Sequence, residues 1–248
     1  MKFIEFFDRV YIINLPERVD RRKGMEKELK NVGIPFNPQK VEFFSAIRPD
    51  SPGSFQSIGY RGAFLSHLNV LKRAKELQLN NVLVMEDDLA FSEHFNEYED
   101  RLIEQLQQTN WDLVQFGYFP VKGIIQPTGS TFATYQPFSG EIIGSHFYGV
   151  NGKTLDRLIN FFEILLSRPA GHPEGGPMSP DGVFNVFPWQ NKDIVRLISI
   201  PSFGGQRSSR SDCHADLKWF DRLPVFQQGA TLVRSMGIVN KMKSIINK

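Results

Sequence analysis

Cysteine is almost missing from this chain. Of 248 residues only Cys213 carries a thiol, which excludes an intramolecular disulfide framework and makes the cytoplasm the expected compartment. Excess charge is missing too. The formal net charge is +2, so the chain has neither the basic coat of a nucleic-acid binder nor an acidic tail. No apolar run approaches the ~20 residues that a membrane-spanning helix needs. Met1-Lys2-Phe3-Ile4-Glu5 has neither the apolar core nor the small-residue cleavage site of a signal peptide. There is no internal repeat and no low-complexity tract. Fifteen prolines and twenty glycines do not amount to a disordered composition. These absences point to a soluble intracellular chain long enough for one large α/β domain, or one domain with a small appendage.

What is present is an alternation of strand and helix patterns. Val10-Tyr11-Ile12-Ile13-Asn14-Leu15 is β-branched, aromatic and stopped by Pro16, which predicts a strand. A helix is predicted from Val19 to Asn31 with Gly33 as its terminator, then a strand from Lys40 to Ala46. Phe64, Leu68, Leu71, Ala74 and Leu77 recur at helical spacing within a helix from Arg61 to Gln78. Asn81 to Met85 is an apolar strand, followed by a helix from Ser92 to Gln108 with Ser92 as its cap. Trp111 to Phe116 reads as another core strand. The alternation predicts a mostly parallel α/β sheet with helices on both faces. Residues 118–145 carry aromatics, glycine and proline without a period. His146 to Val150 then reads as a strand, Leu155 to Leu166 as a helix, 168–177 as irregular and Ile194 to Ile200 as a last strand.

The chemistry-bearing feature is Met85-Glu86-Asp87-Asp88, which closes the apolar strand. Ligands of open α/β sheets bind beyond the carboxyl ends of strands. Three adjacent carboxylates there repel one another, and a hard divalent cation such as Mg²⁺ or Mn²⁺ relieves that repulsion. A solvated, inert polar loop explains the same residues. A phosphorylation-receiver domain also has an apolar strand ending in adjacent acids. It requires an Asp at the end of a later strand, however, and Gly117 stands there.

Three stretches together resemble glycosyltransferase family 25: Val10-Tyr11-Ile12-Ile13-Asn14-Leu15-Pro16-Glu17-Arg18-Val19-Asp20-Arg21-Arg22, Gly62-Ala63-Phe64-Leu65-Ser66-His67, and Val84-Met85-Glu86-Asp87-Asp88. Ser145-His146-Phe147-Tyr148-Gly149-Val150, Ser179-Pro180-Asp181, and Gln206 with Ser211-Asp212 resemble its later positions. The resemblance runs from about residue 8 to 213 in the family's order. Ala63 departs from the cysteine common in the family, and 118–143 match poorly.

The resemblance implies a GT-A-like Rossmann-type sheet with a loop-rich acceptor-binding second half. It also implies inverting transfer of a sugar, galactose or another hexose, from a uridine diphosphate sugar to a glycan hydroxyl. Lipopolysaccharide or capsule oligosaccharide is the expected acceptor. The collagen-modifying branch of the family is disfavoured by the missing signal peptide and retention tail. Residues 8–117 are expected to form the nucleotide-sugar-binding half and 118–213 the acceptor-binding half.

Within that reading Asp88 is the metal ligand, with Mn²⁺ or Mg²⁺ as cofactor, and Glu86 or Asp87 lies near ribose or sugar. Asn14, Leu15, Pro16 and Arg18 follow the first strand, where a doubly wound fold places its nucleotide, and Arg18 offers a phosphate fork. Asp20 and Arg21 brace the loop of Arg18, or Arg21 joins Arg22 and Lys23 on a solvated basic face. Ser66 and His67 are donor-side candidates, although a lone His on an apolar helix face is commonly a satisfied core residue. Inversion needs a base on the acceptor side. Asp181 is the first candidate, and a helix N-cap is its bland alternative. His146, His172, Glu174 and Asp212 are further candidates for the base, and His146, Tyr148, Gln206 and Asp212 are acceptor-side residues. Arg207 and Arg210 bind diphosphate or only solvate their loop. In the 214–248 tail, Leu232, Met236, Val239, Met242 and Ile246 recur at near-helical spacing among basic residues. Such a helix either lies on an anionic membrane surface, giving peripheral contact, or packs on the domain.

Overall fold

The structure, a computed structural model, describes residues 2–119 and 133–207. A one-turn helix α1 (Phe3–Phe6) leads into β1 (Arg9–Asn14). The helix α2 (Val19–Asn31) buries only Met25 and Leu29, as its sparse apolar pattern predicts. It ends at Gly33, whose φ of 71° is the left-handed turn that glycine adopts without steric cost. After β2 (Val41–Ser45), α3 (Ile58–Glu76) begins three residues before the expected Arg61, because Ser57 caps it by accepting the Tyr60 N–H at 3.1 Å.

The acidic strand is β3 (Asn81–Glu86), and β4 (Leu89–Phe91) follows a two-residue turn. That short strand displaces the next helix, α4 (Phe95–Gln108), from its predicted cap. Ser92 instead shapes the preceding turn, its Oγ accepting from His94 N–H at 3.3 Å. The remaining strands are β5 (Leu113–Gly117), β6 (Thr134–Pro137), β7 (Phe147–Asn151), β8 (Arg196–Ile200) and β9 (Gly204–Gln206). The later helices are α5 (Leu155–Ser167) and α6 (Pro180–Gln190). Ser179, not Asp181, caps α6, with Pro180 at its first position, where the missing N–H costs nothing.

The strands run β2-β1-β3-β7-β5-β8-β6, with β4 paired to β9 and β9 touching β5. β1, β2 and β3 are mutually parallel and β5 is parallel to β8. β7 lies antiparallel between β3 and β5, and β6 is antiparallel to β8. The mostly parallel α/β sheet flanked by helices is therefore observed, with three reversed strands among the described residues, β4, β6 and β7. Strand periodicity is two in either direction, so the pattern of His146–Val150 could not reveal the reversal.

Both sheet faces are covered. Val10, Ile12, Leu83 and Met85 enter one core with residues of α1, α2 and α4. Tyr11, Ile13, Val82 and Val84 enter the other with α3, α5 and α6. Each fully buried side chain of this size contributes about 1.5–3 kcal/mol, which explains why these strands are nearly continuous apolar runs. Gly62 brings the chain after β2 close to α3: a Cβ there would lie 2.6 Å from the Ile47 carbonyl oxygen.

Candidate functional site

The acidic residues stand where β3 ends, and the pleat decides which way each points. Glu86 continues the Val82–Val84 side of the strand, toward α3. There the buried His67 brings Nε2 to 3.3 Å from Glu86 Oε1, while its Nδ1 is 2.8 Å from the Tyr148 hydroxyl. Ser145 Oγ donates to Oε1 at 2.8 Å, and Gln206 Nε2 donates to Oε2 at 3.3 Å. Burial pushes the Glu86 carboxyl up, but His67, His146 and Ser145 outweigh it and hold it well below the usual range. Glu86 is an anion held on three sides.

Asp87 takes the other direction. Asn14 Nδ2 donates to its Oδ2 at 2.7 Å and Arg21 Nη1 to its Oδ1 at 2.9 Å. Burial raises this carboxyl, against the opposing pull of Arg21 and Asn14. Arg21 Nη1 also lies 3.3 Å from Asp88 Oδ2, so one guanidinium spans both carboxylates. Asp88 Oδ1 is buried and accepts no hydrogen bond among the described residues. Burial first, and the neighbouring Glu86 charge second, raise its carboxyl to about 7.

Asp181, at the start of α6, accepts the Gly144 N–H at 2.8 Å through Oδ1. Gly144 precedes the Ser145 that holds Glu86, so one short segment links the two carboxylates. Burial and Glu86 raise Asp181, against Gly144, His146 and His67. His146 is fully buried. Its Nε2 is 3.2 Å from the Gly204 carbonyl oxygen and its Nδ1 has no hydrogen-bond partner among the described residues.

The structure thus gathers Asn14, His67, Glu86, Asp87, Asp88, Ser145, His146, Tyr148, Asp181 and Gln206. Other candidates sit differently. Ser66 Oγ donates to the Gly62 carbonyl at 2.7 Å and accepts the Ile47 N–H at 2.8 Å, bracing the chain between β2 and α3. Leu15 and Pro16 form the turn before α2, closed by Arg18 N–H on the Leu15 carbonyl at 2.8 Å. Arg18 forks onto Asp20 with two 3.0 Å bonds, the bracing expected of Asp20. His172 and Glu174 share the 168–177 loop, where Glu174 pairs with Arg168 at 2.8 Å. Arg207 donates from Nη2 to the Asp87 carbonyl at 2.5 Å. Asp212, Arg210 and the 214–248 tail lie outside the described residues.

Arg21 is the member that sequence reasoning left undecided between bracing and solvation. Its signal was helical spacing: three residues after Arg18, it falls on the face of the first turn of α2 that looks at β3.

Among the described residues no three His, Cys, Asp or Glu side chains converge to enclose a cation. A divalent ion bound by one or two carboxylates, with phosphate oxygens and water completing its shell, needs no such cage. The unpartnered Asp88 Oδ1 fits that mode. A cleft of about 590 Å³ at the other end of the central strands, lined by Asn80, Asn81, Trp111 and Lys153 among others, contains none of the candidate residues. Among the described residues no helix is long and apolar enough to cross a membrane.

The chain has named relatives. Over 129 residues it is 31% identical to "Procollagen galactosyltransferase 1-A" of Xenopus laevis, covering 45% of this chain and 21% of that protein. The profile described as "Glycosyltransferase family 25 (LPS biosynthesis protein)" matches residues 7–121, from the approach to β1 through the acidic turn and β5. Over these residues the chain is similar to glycosyltransferase family 25. Another relative in the family, "Inactive glycosyltransferase 25 family member 3" of Homo sapiens, is 26% identical over 188 residues, covering 66% of this chain and 29% of that protein. The chain spans less than a third of the length of either curated relative. Among solved structures, a glycosyltransferase involved in glycosylation of the major capsid of PBCV-1 aligns with a TM-score of 0.43 and 10% identity, over 77% of this chain and 92% of that one.

Proposed function

We propose that this chain is a family 25 glycosyltransferase that transfers a hexose, galactose first among candidates, from a uridine diphosphate sugar to a hydroxyl of a glycan acceptor, with inversion at the anomeric carbon. The observation that carries the reading is the pair of unlike carboxylate environments: Asp88 with a buried unpartnered oxygen at the end of β3, and Asp181 facing the same cluster from α6. Two carboxyl groups raised by burial, one at the end of β3 and one at the start of α6, suit the two demands of the reaction, cation holding and proton removal.

In this reading Asp88 holds Mn²⁺ or Mg²⁺, which supplies Lewis-acid neutralisation of the leaving diphosphate. Arg21 and Asn14 keep Asp87 fixed beside it. Glu86, kept anionic by His67 and Ser145, accepts hydrogen bonds from ribose or sugar hydroxyls. Asp181 removes the acceptor proton, and its raised proton affinity makes it a stronger base than a solvated carboxylate. Tyr148 and His67 position Glu86. Residues 8–117 supply the donor side and 118–213 the acceptor side. Lipopolysaccharide or capsule oligosaccharide is the proposed acceptor, reached in the cytoplasm or at the inner face of a membrane.

The relative named inactive supports an alternative, a glycan-binding or scaffold protein of the same fold. Thermal shift with nucleotides tests the donor assignment. Uridine diphosphate with Mn²⁺ should raise the melting temperature by mass action, and Arg18→Ala should reduce the shift. Stabilisation by cytidine or guanosine diphosphate, with none from uridine diphosphate, overturns the donor class.

A further inference from the structure

The carbonyls of the acidic turn are gripped by a residue far away in sequence. Arg207, just after β9, donates its backbone N–H to the Asp88 carbonyl at 2.6 Å and its Nη2 to the Asp87 carbonyl at 2.5 Å. Its guanidinium lies across α2 at Gly24, where a Cβ would stand 3.1 Å from Nη2 and 3.2 Å from Cζ. Nη1 is 3.7 Å from Glu28 Oε1, and the other oxygen of Glu28 accepts the Phe91 N–H of β4 at 3.3 Å. The same helix carries Arg21, which holds the carboxylates of the turn. Side chains and carbonyls of Asp87 and Asp88 are therefore both anchored to α2, the carbonyls through Arg207.

We infer that Arg207 is a positioning residue that fixes the direction of the Asp88 carboxylate, and that position 24 is glycine in order to seat it. The inference rests on Asp88 being the cation-holding residue. Arg207 directs its bonds at carbonyls, so its role is geometric, and a misplacement of about 1 Å at such a site can cost 10²-fold in rate. Geometry and electrostatics give opposite signs here. Removing a cationic side chain close to Asp88 strengthens cation binding if Arg207 acts only through its charge. It weakens binding if Arg207 sets the turn.

The test is Mn²⁺ affinity in the presence of uridine diphosphate, read by electron paramagnetic resonance of the free ion, for the full chain and for Arg207→Ala, Arg207→Lys and Gly24→Leu. Melting temperatures and amide exchange of residues 87–91 accompany it. Arg207→Ala and Gly24→Leu should weaken Mn²⁺ binding tenfold or more and speed exchange in the turn, with melting within about 3 °C of wild type. Arg207→Lys, which keeps charge and a donor, should fall between. Tighter or unchanged Mn²⁺ binding in Arg207→Ala overturns the inference, and so does loss of binding only in step with global melting. A wild-type chain that binds no Mn²⁺ sinks the cation reading of the site. Turn exchange then decides the role of Arg207 alone, and equal exchange in Arg207→Ala and wild type rejects it.

Discussion

Replacing Asp88 by Asn should make the cation-free protein relatively more stable as pH rises. Burial and the Glu86 charge raise the Asp88 carboxyl from 3.8 to about 7 in the folded chain. A folded-state value above the unfolded one means that the native state holds the proton more tightly. The stabilisation is complete below pH ~4 and is lost as pH rises through about 7. At ~1.4 kcal/mol per pH unit the full effect is roughly 4 kcal/mol. The side chain retains 14% exposure, and Glu86 shares the electrostatics, so about 1–3 kcal/mol is the expected size, or several degrees of melting temperature. Asn cannot ionise and loses this slope. Any fixed cost of its buried amide cancels when the variant is compared with itself across pH. The assay is thermal unfolding in chelator from pH 5 to 8, for wild type and Asp88→Asn. The wild type should fall relative to the variant across that window. Adding Mn²⁺ at pH 8 should restore the wild type and leave the variant unchanged. Parallel pH profiles for the two proteins would refute the burial argument, and equal Mn²⁺ responses would refute the ligand assignment.

Asp181→Asn keeps an oxygen for the Gly144 N–H, so melting should change little while transfer falls 10²-fold or more; near-normal transfer would move the base to His146, His172, Glu174 or Asp212. Ser179→Ala is the matched control, since it removes the true cap of α6 and should cost about 1 kcal/mol with transfer largely kept. Tyr148→Phe leaves His67 Nδ1 without its 2.8 Å partner and should cost roughly 1–3 kcal/mol in denaturant unfolding. A cost below a few tenths would show that the Tyr148–His67 bond does not hold Glu86.

Much of this site was legible in the sequence because its groups lie at the ends of strongly patterned elements. The apolar run Val82–Met85 located Glu86, Asp87 and Asp88, and the Val10–Asn14 strand located Asn14. Less was legible where spatial neighbours are distant in sequence. Asn14 holds Asp87 across 73 positions and Gln206 reaches Glu86 across 120. Spacing rules that work within one helix or strand cannot see such pairs. Ser66 illustrates the converse. Its hydroxyl is spent on Gly62 and Ile47, and only the close approach at Gly62 reveals that use. The reversal of β7 was hidden because an inward-outward alternation is the same read in either direction.

The central claim is metal-assisted transfer from a uridine diphosphate sugar, and its most direct measurement is nucleotide release from a panel of nucleotide-sugars with glycan acceptors, in Mn²⁺ and in chelator. The panel should include surface-glycan and collagen-type acceptors. The account predicts uridine diphosphate release that depends on acceptor, stops in chelator and falls by 10²-fold or more in Asp88→Asn. Full activity in chelator, or the absence of release from every uridine diphosphate sugar, would contradict it.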